Sequence, residues 1–459
     1  MKDINSKSSF SKPFDRSPPK RDGNFRKGNT NAASLVWKPA RSQPLNIRMM
    51  TTKEGVSERV IHEQPCKIID KCNYCPLLDL PYKSQLQQKT NDLKVKITSE
   101  PNLANKVIVK DCIASEERFG YRHQIKLMVS EHFSSDPANP KRWIDVGLYN
   151  QSLNSVVDIG RCPVQTLLAN DIAAFFRTGI RLHNLTIYTP KNKSGFIHSI
   201  IIRTTHAYRQ AQVIINVTKD EPHLLKPLAR ELAEKIMNIQ GVFASVVHPQ
   251  LSTEMDSLVQ MKKLVGQDEI EETYNEFNIK YSPATYLPAN PRLFNKMFHR
   301  ILELSDLSSK ETVVELNCGA GELSCILGHN AKKIIAIDPS ETAIKDANKN
   351  ARNNVVKNIA FYAGPITEKL NELINTNIVN NCEALIFNAR DEKFNINSSL
   401  EFISKLEPKT IFYLTSSAND LIHFGKELNK VGYKIVFIEP YDTFPGTNKL
   451  HSLCFIQKN

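Results

Sequence analysis

No stretch of this 459-residue chain comes near the roughly 20 unbroken apolar residues that a membrane span requires. The opening MKDINSKSSFSKPFDR has no apolar core, so it does not read as a secretory signal. Nine cysteines, an odd number, without an export signal give no basis for a disulfide framework. A reducing cytoplasm is the expected compartment. No internal repeat is visible. The single glycine turn between a strand and a helix lacks the full G-x-G-x-x-G spacing, and no Walker lysine follows it. Pyrophosphate binding is therefore disfavoured.

What the chain has in excess is positive charge. Lys and Arg number 60 against 48 Asp and Glu, a net charge of +12 and a pI near 9.1. Residues 1–48 hold eleven Lys and Arg against three Asp, so they carry +8 of that excess. Such a balance points to a polyanionic partner, nucleic acid first and a membrane surface second. Residues 1–57, rich in Ser, Pro, Asn, Lys and Arg without hydrophobic period, are expected to be a disordered basic tail. Met49-Met50 offers a second candidate start, which leaves open whether residues 1–48 belong to the natural protein.

Beyond the tail the texture changes twice. A helical pattern over 84–96 precedes the β-branched runs KVIVKDCIA, RHQIKLMVS, IDVGLYN, HSIIIRTT and AQVIINVT. Helical segments at 164–178 and 223–238 interleave with them, which predicts an α+β domain over 58–275. Residues 276–459 instead alternate strand and helix. Helix 291–305 leads into strand 313–316, helix 321–328, strand 333–338, helix 341–353, strands 384–387 and 410–415, helix 419–431 and two closing strands. That alternation predicts a doubly wound, mostly parallel sheet.

In VVELNCGAGELS, Gly319 and Gly321 sit between a strand and a helix, where small residues let a ligand approach the backbone. Asp338 closes the next strand, 23 positions after Glu315, where a carboxylate can accept from two ribose hydroxyls. A short turn with an acid on the second strand suits S-adenosylmethionine. The segment CKIIDKCNYC packs Cys66, Cys72 and Cys75 into ten positions, and metal binding, redox chemistry and buried thiols are all open to it.

Taken in order, these segments resemble the RNA (uracil-5-)-methyltransferases, the 5-methyluridine enzymes of rRNA and tRNA, over roughly residues 58–459. The three cysteines match the C-x5-C-x2-C loop of the iron–sulfur members, and LDLPYKSQLQQK resembles the helix that follows it. FGYRHQIKL, DVGLYNQSLNSVVDIGRCPVQ, ATYLPANP, ELNCGAGELS, IAIDPSETAIKDANKNARNN and VGYKIVFIEPYDTFPGT follow in family order. The resemblance implies a class I S-adenosylmethionine-dependent methyltransferase domain (Rossmann-like, doubly wound) preceded by an α+β central domain. It makes Cys162 the fourth ligand of a 4Fe–4S cluster with Cys66, Cys72 and Cys75. Four thiolates would also suit zinc; the family spacing favours iron. Asn73-Tyr74 stands where the family has small residues, so the tyrosine must point outward or cover the cluster. By the same resemblance Asn290, Glu315, Asn317, Gly319, Gly321 and Asp338 would line the cofactor, and the partner would be rRNA or tRNA. A monomer without membrane association is expected.

The reacting residues depart from the family. Uracil C5 is a weak nucleophile, so those enzymes add a cysteine thiolate to C6 before C5 attacks the methyl sulfonium. Here YLTSSA puts Ser416 at that cysteine, and FPGTNKLH puts His451 at the glutamate that removes the C5 proton. Pro288 replaces the glutamine of the family's "FFQ.N", Asn290 is kept, Asn317 replaces a phenylalanine, and IFNAR keeps Arg390 without the preceding acid. Two functions follow: methyl transfer to RNA with an altered site, or a catalytically silent RNA-binding factor in ribosome or tRNA maturation. For uridine C5 itself the silent reading is favoured. Cys382 and Cys454 lie in apolar strand contexts that suit a core.

Overall fold

Strand Gln124–Phe133 buries Ile125, Leu127 and Val129 on one side and leaves Gln124, Lys126, Met128 and Ser130 half-buried on the other. This alternation sets the first layer of the molecule, because one face of the strand must be buried. In the computed structural model the described residues are 66–104, 106–134, 141–247, 261–389 and 395–459, with the short strands Thr51–Thr52 and Gly55–Val56. These two pair antiparallel, too short to leave a period in the sequence; the rest of the expected tail and Arg390 lie outside the described residues.

Seven strands form the first sheet, in the order Met261–Gly266, Ile239–Val246, Ala211–Val217, Ile197–Thr204, Gln124–Phe133, Arg142–Asn150 and Ser155–Asp158. Helices Leu167–Leu182 and Pro222–Lys235 bury Ile172, Phe176, Leu225 and Leu228 against the apolar face. Only Ala211–Val217 and Ile239–Val246 run parallel, and helix Pro222–Lys235 is the crossover between them.

The second sheet has eight strands, in the order Ile359–Ala363, Lys333–Asp338, Thr312–Leu316, Ala384–Asn388, Thr410–Thr415, His451–Lys458, Tyr433–Tyr441 and Ile108–Val109. The first five are mutually parallel, and the hairpin Tyr433–Tyr441/His451–Lys458 adds an antiparallel strand beside Thr410–Thr415. This is the doubly wound, Rossmann-like class I arrangement expected from the alternation. The carboxyl ends of the parallel strands form one edge, where such sheets bind ligands. Among the described residues no helix is long and apolar enough to cross a membrane.

Five elements depart from the sequence reading. The run 106–114 does not join the first sheet: Ile108–Val109 pair with Phe437 and Ile438 as the outer strand of the second. Helix Tyr82–Thr98 likewise packs Leu93 and Ile97 into the core that contains Leu421 and Phe424. Strand Ile359–Ala363, half-buried along its length, and helices Ile366–Asn375 and Ile396–Leu406 complete the alternation without having been foreseen. An edge strand with neither face fully covered has little pattern to read.

Candidate active site

The glycine turn begins where strand Thr312–Leu316 ends. Asn317 and Gly319 both adopt positive φ, +62° and +59°, so the chain folds back sharply before helix Glu322–Gly328. Gly319 N–H donates to Asp338 Oδ2 at 2.8 Å, which ties the turn to the end of the neighbouring strand. Asp338 Oδ1 accepts from Ser340 N–H at 2.9 Å. Gly321, at φ +82°, caps the helix, and a Cβ there would come within 3.1 Å of the Phe361 ring. Glu315 is fully buried, and its Oε2 accepts from Ser324 Oγ at 2.5 Å. Glu315, Asn317, Gly319, Gly321 and Asp338 thus share one edge of the sheet.

Asn290 belongs to a different piece of architecture. Its Oδ1 caps helix Pro291–Ser305 by accepting from Leu293 N–H, and its Nδ2 donates to Ser115 Oγ at 3.0 Å. The loop before it is clamped from both sides. Arg203 of the first sheet, fully buried, donates to the carbonyls of Ser282 and Thr285 at 2.8 and 2.5 Å. Asp346 accepts from Ser282 N–H, Ser282 Oγ and Thr285 Oγ1. Burial pulls the Arg203 guanidinium down to about 10 and pushes the Asp346 carboxyl up, as a low-dielectric junction requires. A lone arginine in the apolar run HSIIIRTT was the only sequence signal for this clamp.

Ser416 and His451 stand at the same edge. Thr415 pairs with Ser452 as the last step of the antiparallel ladder, Ser416 follows Thr415, and His451 precedes Ser452. His451 is buried, its ring between Phe294 and Phe444 at centroid distances of 5.0 and 5.7 Å. Its Nδ1 hydrogen-bonds Thr443 Oγ1 at 2.7 Å, a partner that sequence reasoning missed. Asn388, buried at the end of its strand, has an amide oxygen with no hydrogen-bond partner among the described residues.

Four cysteines of the second sheet and its helices lie in the interior. Cys318, Cys325, Cys382 and Cys454 are all buried. Burial pushes the Cys325 thiol up to about 12 and the Cys382 and Cys454 thiols further still. A thiol that stays protonated is a poor nucleophile. Both Cys382 and Cys454 sit in one core cluster, as their apolar contexts implied.

Cys66, Cys72, Cys75 and Cys162 are free thiols of intermediate exposure; Cys66, Cys75 and Cys162 border a small cluster of Leu78, Tyr121 and Val164, and Cys72 and Cys162 border the first sheet's core. Burial raises Cys72, Cys75 and Cys162, and the other thiols raise each of them further; Cys75 reaches about 12. Four sulfurs that feel one another's charge are gathered in one place. They are not converged, since no three His, Cys, Asp or Glu among the described residues adopt a metal-holding arrangement. In identity and number the donors fit a thiolate-ligated centre. Tyr74 is exposed, and its hydroxyl donates to the Tyr149 carbonyl at 3.0 Å. Arg122 pulls Cys72 and Cys75 back towards ionisation, and its guanidinium lies 6.0 Å from the Phe444 ring. The thiols and the His451 pocket are therefore neighbours.

Comparison with known proteins agrees with this geometry. A family model described as a methyltransferase domain matches residues 307–436. The chain is 28% identical over 397 residues, 85% of its length and 82% of the relative's, to a Clostridium tetani protein named uncharacterized RNA methyltransferase. A similarly named Clostridium acetobutylicum protein is 26% identical, with 86% and 84% covered. Among solved structures, a Pyrococcus abyssi tRNA (uracil-54, C5)-methyltransferase in complex with S-adenosyl-L-homocysteine superposes with a TM-score of 0.65. That match is 17% identical and covers 89% of this chain and 91% of the other. Residues 307–436 are thus a methyltransferase domain of class I fold, in a chain similar along most of its length to proteins named RNA methyltransferases.

Proposed function

We propose that this chain is an S-adenosylmethionine-dependent RNA methyltransferase whose site differs from that of the 5-methyluridine enzymes it resembles. The observation that carries the reading is the common edge: the Gly319–Gly321 turn, Asp338 and Ser416 follow or close the carboxyl ends of parallel strands, and His451 opens the antiparallel strand at that same edge. Glu315, Asn317 and Asp338 would hold the cofactor, which supplies an electrophilic methyl group. The net charge of +12 suits a phosphate backbone, and rRNA or tRNA is the proposed substrate. The four thiols would hold a 4Fe–4S cluster that fixes the loop beside the first sheet.

Methylation of uridine C5 is not what the residues support. A serine hydroxyl at Ser416 needs an activating base and leaves poorly from a C6 adduct. Unaltered protein should form no covalent complex with 5-fluorouridine RNA and S-adenosylmethionine on a denaturing gel. Ser416→Cys should produce one where uracil still enters. An adduct with the unaltered chain would contradict this reading and direct the search to another nucleophile.

A second reading, a silent RNA-binding maturation factor, draws on two observations. The Asn290 amide is taken up by its helix cap and Ser115, and both Asp338 oxygens already accept backbone N–H groups. A silent factor need not bind the cofactor, and that separates the two.

A further inference from the structure

We infer that the methyl acceptor of this site is a heteroatom of RNA, a ring nitrogen or ribose hydroxyl bearing an exchangeable proton, with His451 as its general base. The inference rests on the methyltransferase reading above and specifies its substrate class. Carbon C5 of uracil has no lone pair, so its methylation demands a thiolate that first adds to C6. Among the described residues no exposed thiol stands at this edge: Ser416 occupies the position that the resemblance gives to the nucleophile, Cys318 in the glycine turn is buried, and burial holds Cys325 and Cys454 protonated. A nitrogen or oxygen nucleophile carries its own lone pair. It needs only to lose a proton as it attacks, and an imidazole does that well near neutral pH.

The geometry around His451 suits that task. In the tautomer whose Nδ1–H donates to Thr443 Oγ1, at 2.7 Å, the Nε2 lone pair is the basic one. Phe294 and Phe444 flank the ring and fix its plane. The charged and titratable neighbours are already engaged. Tyr441, paired with His451 in the hairpin, donates its hydroxyl to Glu439 at 2.6 Å, and Asp442 is held by Lys89 at 2.5 Å. Asn388 at the same edge keeps a buried amide oxygen without a partner among the described residues, an acceptor for a substrate N–H or O–H. In the balanced step, the new bond joins the RNA nitrogen or oxygen to the methyl carbon as the methyl–sulfur bond breaks. Sulfur keeps that electron pair, and the proton of the acceptor passes to His451 Nε2.

The test incubates full-length protein with methyl-labelled S-adenosylmethionine and separate tRNA and rRNA, then identifies the labelled nucleosides by chromatography and mass spectrometry. Label should appear on a base nitrogen or ribose oxygen, the two arms separated by whether it follows the base or the sugar. His451→Gln should lower the rate by roughly 100-fold or more at pH 7. It should also abolish the acid limb of the pH profile. Thr443→Val, which keeps the imidazole and loses its orienting partner, should slow the reaction but keep that limb; both variants are checked by cofactor titration for an intact fold. Label in 5-methyluridine overturns this inference and leaves the methyltransferase reading standing, as does an unchanged pH profile in His451→Gln. Bound cofactor with no labelled nucleoside from either RNA overturns both.

Discussion

Replacing Lys89 with Met should destabilise the protein by about 3–5 kcal/mol, as expected when one partner of a buried ion pair is removed. Lys89 and Asp442 meet at 2.5 Å with side chains 1% and 0% exposed. The ammonium also donates to the carbonyls of Phe444 and Lys449 at 3.1 and 2.9 Å. One side chain on helix Tyr82–Thr98 therefore fixes the loop that carries Thr443 and leads to His451. Without it Asp442 is left buried. Burial already pushes this carboxyl up, with Lys89 and Tyr82 pulling it back. Losing Lys89 raises it further, so the folded state binds the proton more tightly than the unfolded state. The mutant's deficit should accordingly shrink as the pH falls through the raised value. Lys89→Met/Asp442→Asn should recover part of the loss. Urea unfolding measures both, and a single-mutant effect below about 0.5 kcal/mol would contradict the role given to the pair.

The second large effect concerns the thiols. Protein purified without oxygen should be brown and contain roughly four iron and four sulfide per chain. Cys162→Ser should lose both, because Cys162 comes from a separate segment and, among the described residues, only Cys66 and Cys75 of the loop itself otherwise border Leu78, Tyr121 and Val164. The loop at 66–75 should then alkylate faster with iodoacetamide. Cys112→Ser is the control: that thiol is buried beside Asp442 and should leave the metal content unchanged. Colourless protein with one zinc per chain would overturn the iron assignment.

The doubly wound sheet was legible because its strands are short apolar runs punctuated by helices, and Pro291–Ser305 and Lys333–Asp338 begin and end where the pattern placed them. Ser416 and His451, 35 positions apart, were singled out by motif position, and only the ladder register shows that they stand at one end of the same strand pair. The Lys89–Asp442 pair spans 353 positions, a separation at which no local pattern links the partners. Arg203 and Asp346 act on the same loop, and each looks ordinary on its own element. The run 106–114, read with the α+β domain, pairs with the second sheet for a related reason. A β-branched run states that it will be a strand, and the pairing energy that selects its sheet lies in distant chain.

The central claim is that the edge formed by Glu315, Gly319 and Asp338 still holds the cofactor although the reacting residues have changed. Calorimetric titration of S-adenosylmethionine into the purified protein tests it most directly. One binding event per chain is predicted, and Asp338→Ala, which removes the carboxylate at the end of the second strand, should abolish the heat while the protein remains folded by circular dichroism. Folded, unaltered protein that gives no binding heat at millimolar S-adenosylmethionine would contradict the account and favour the silent RNA-binding factor.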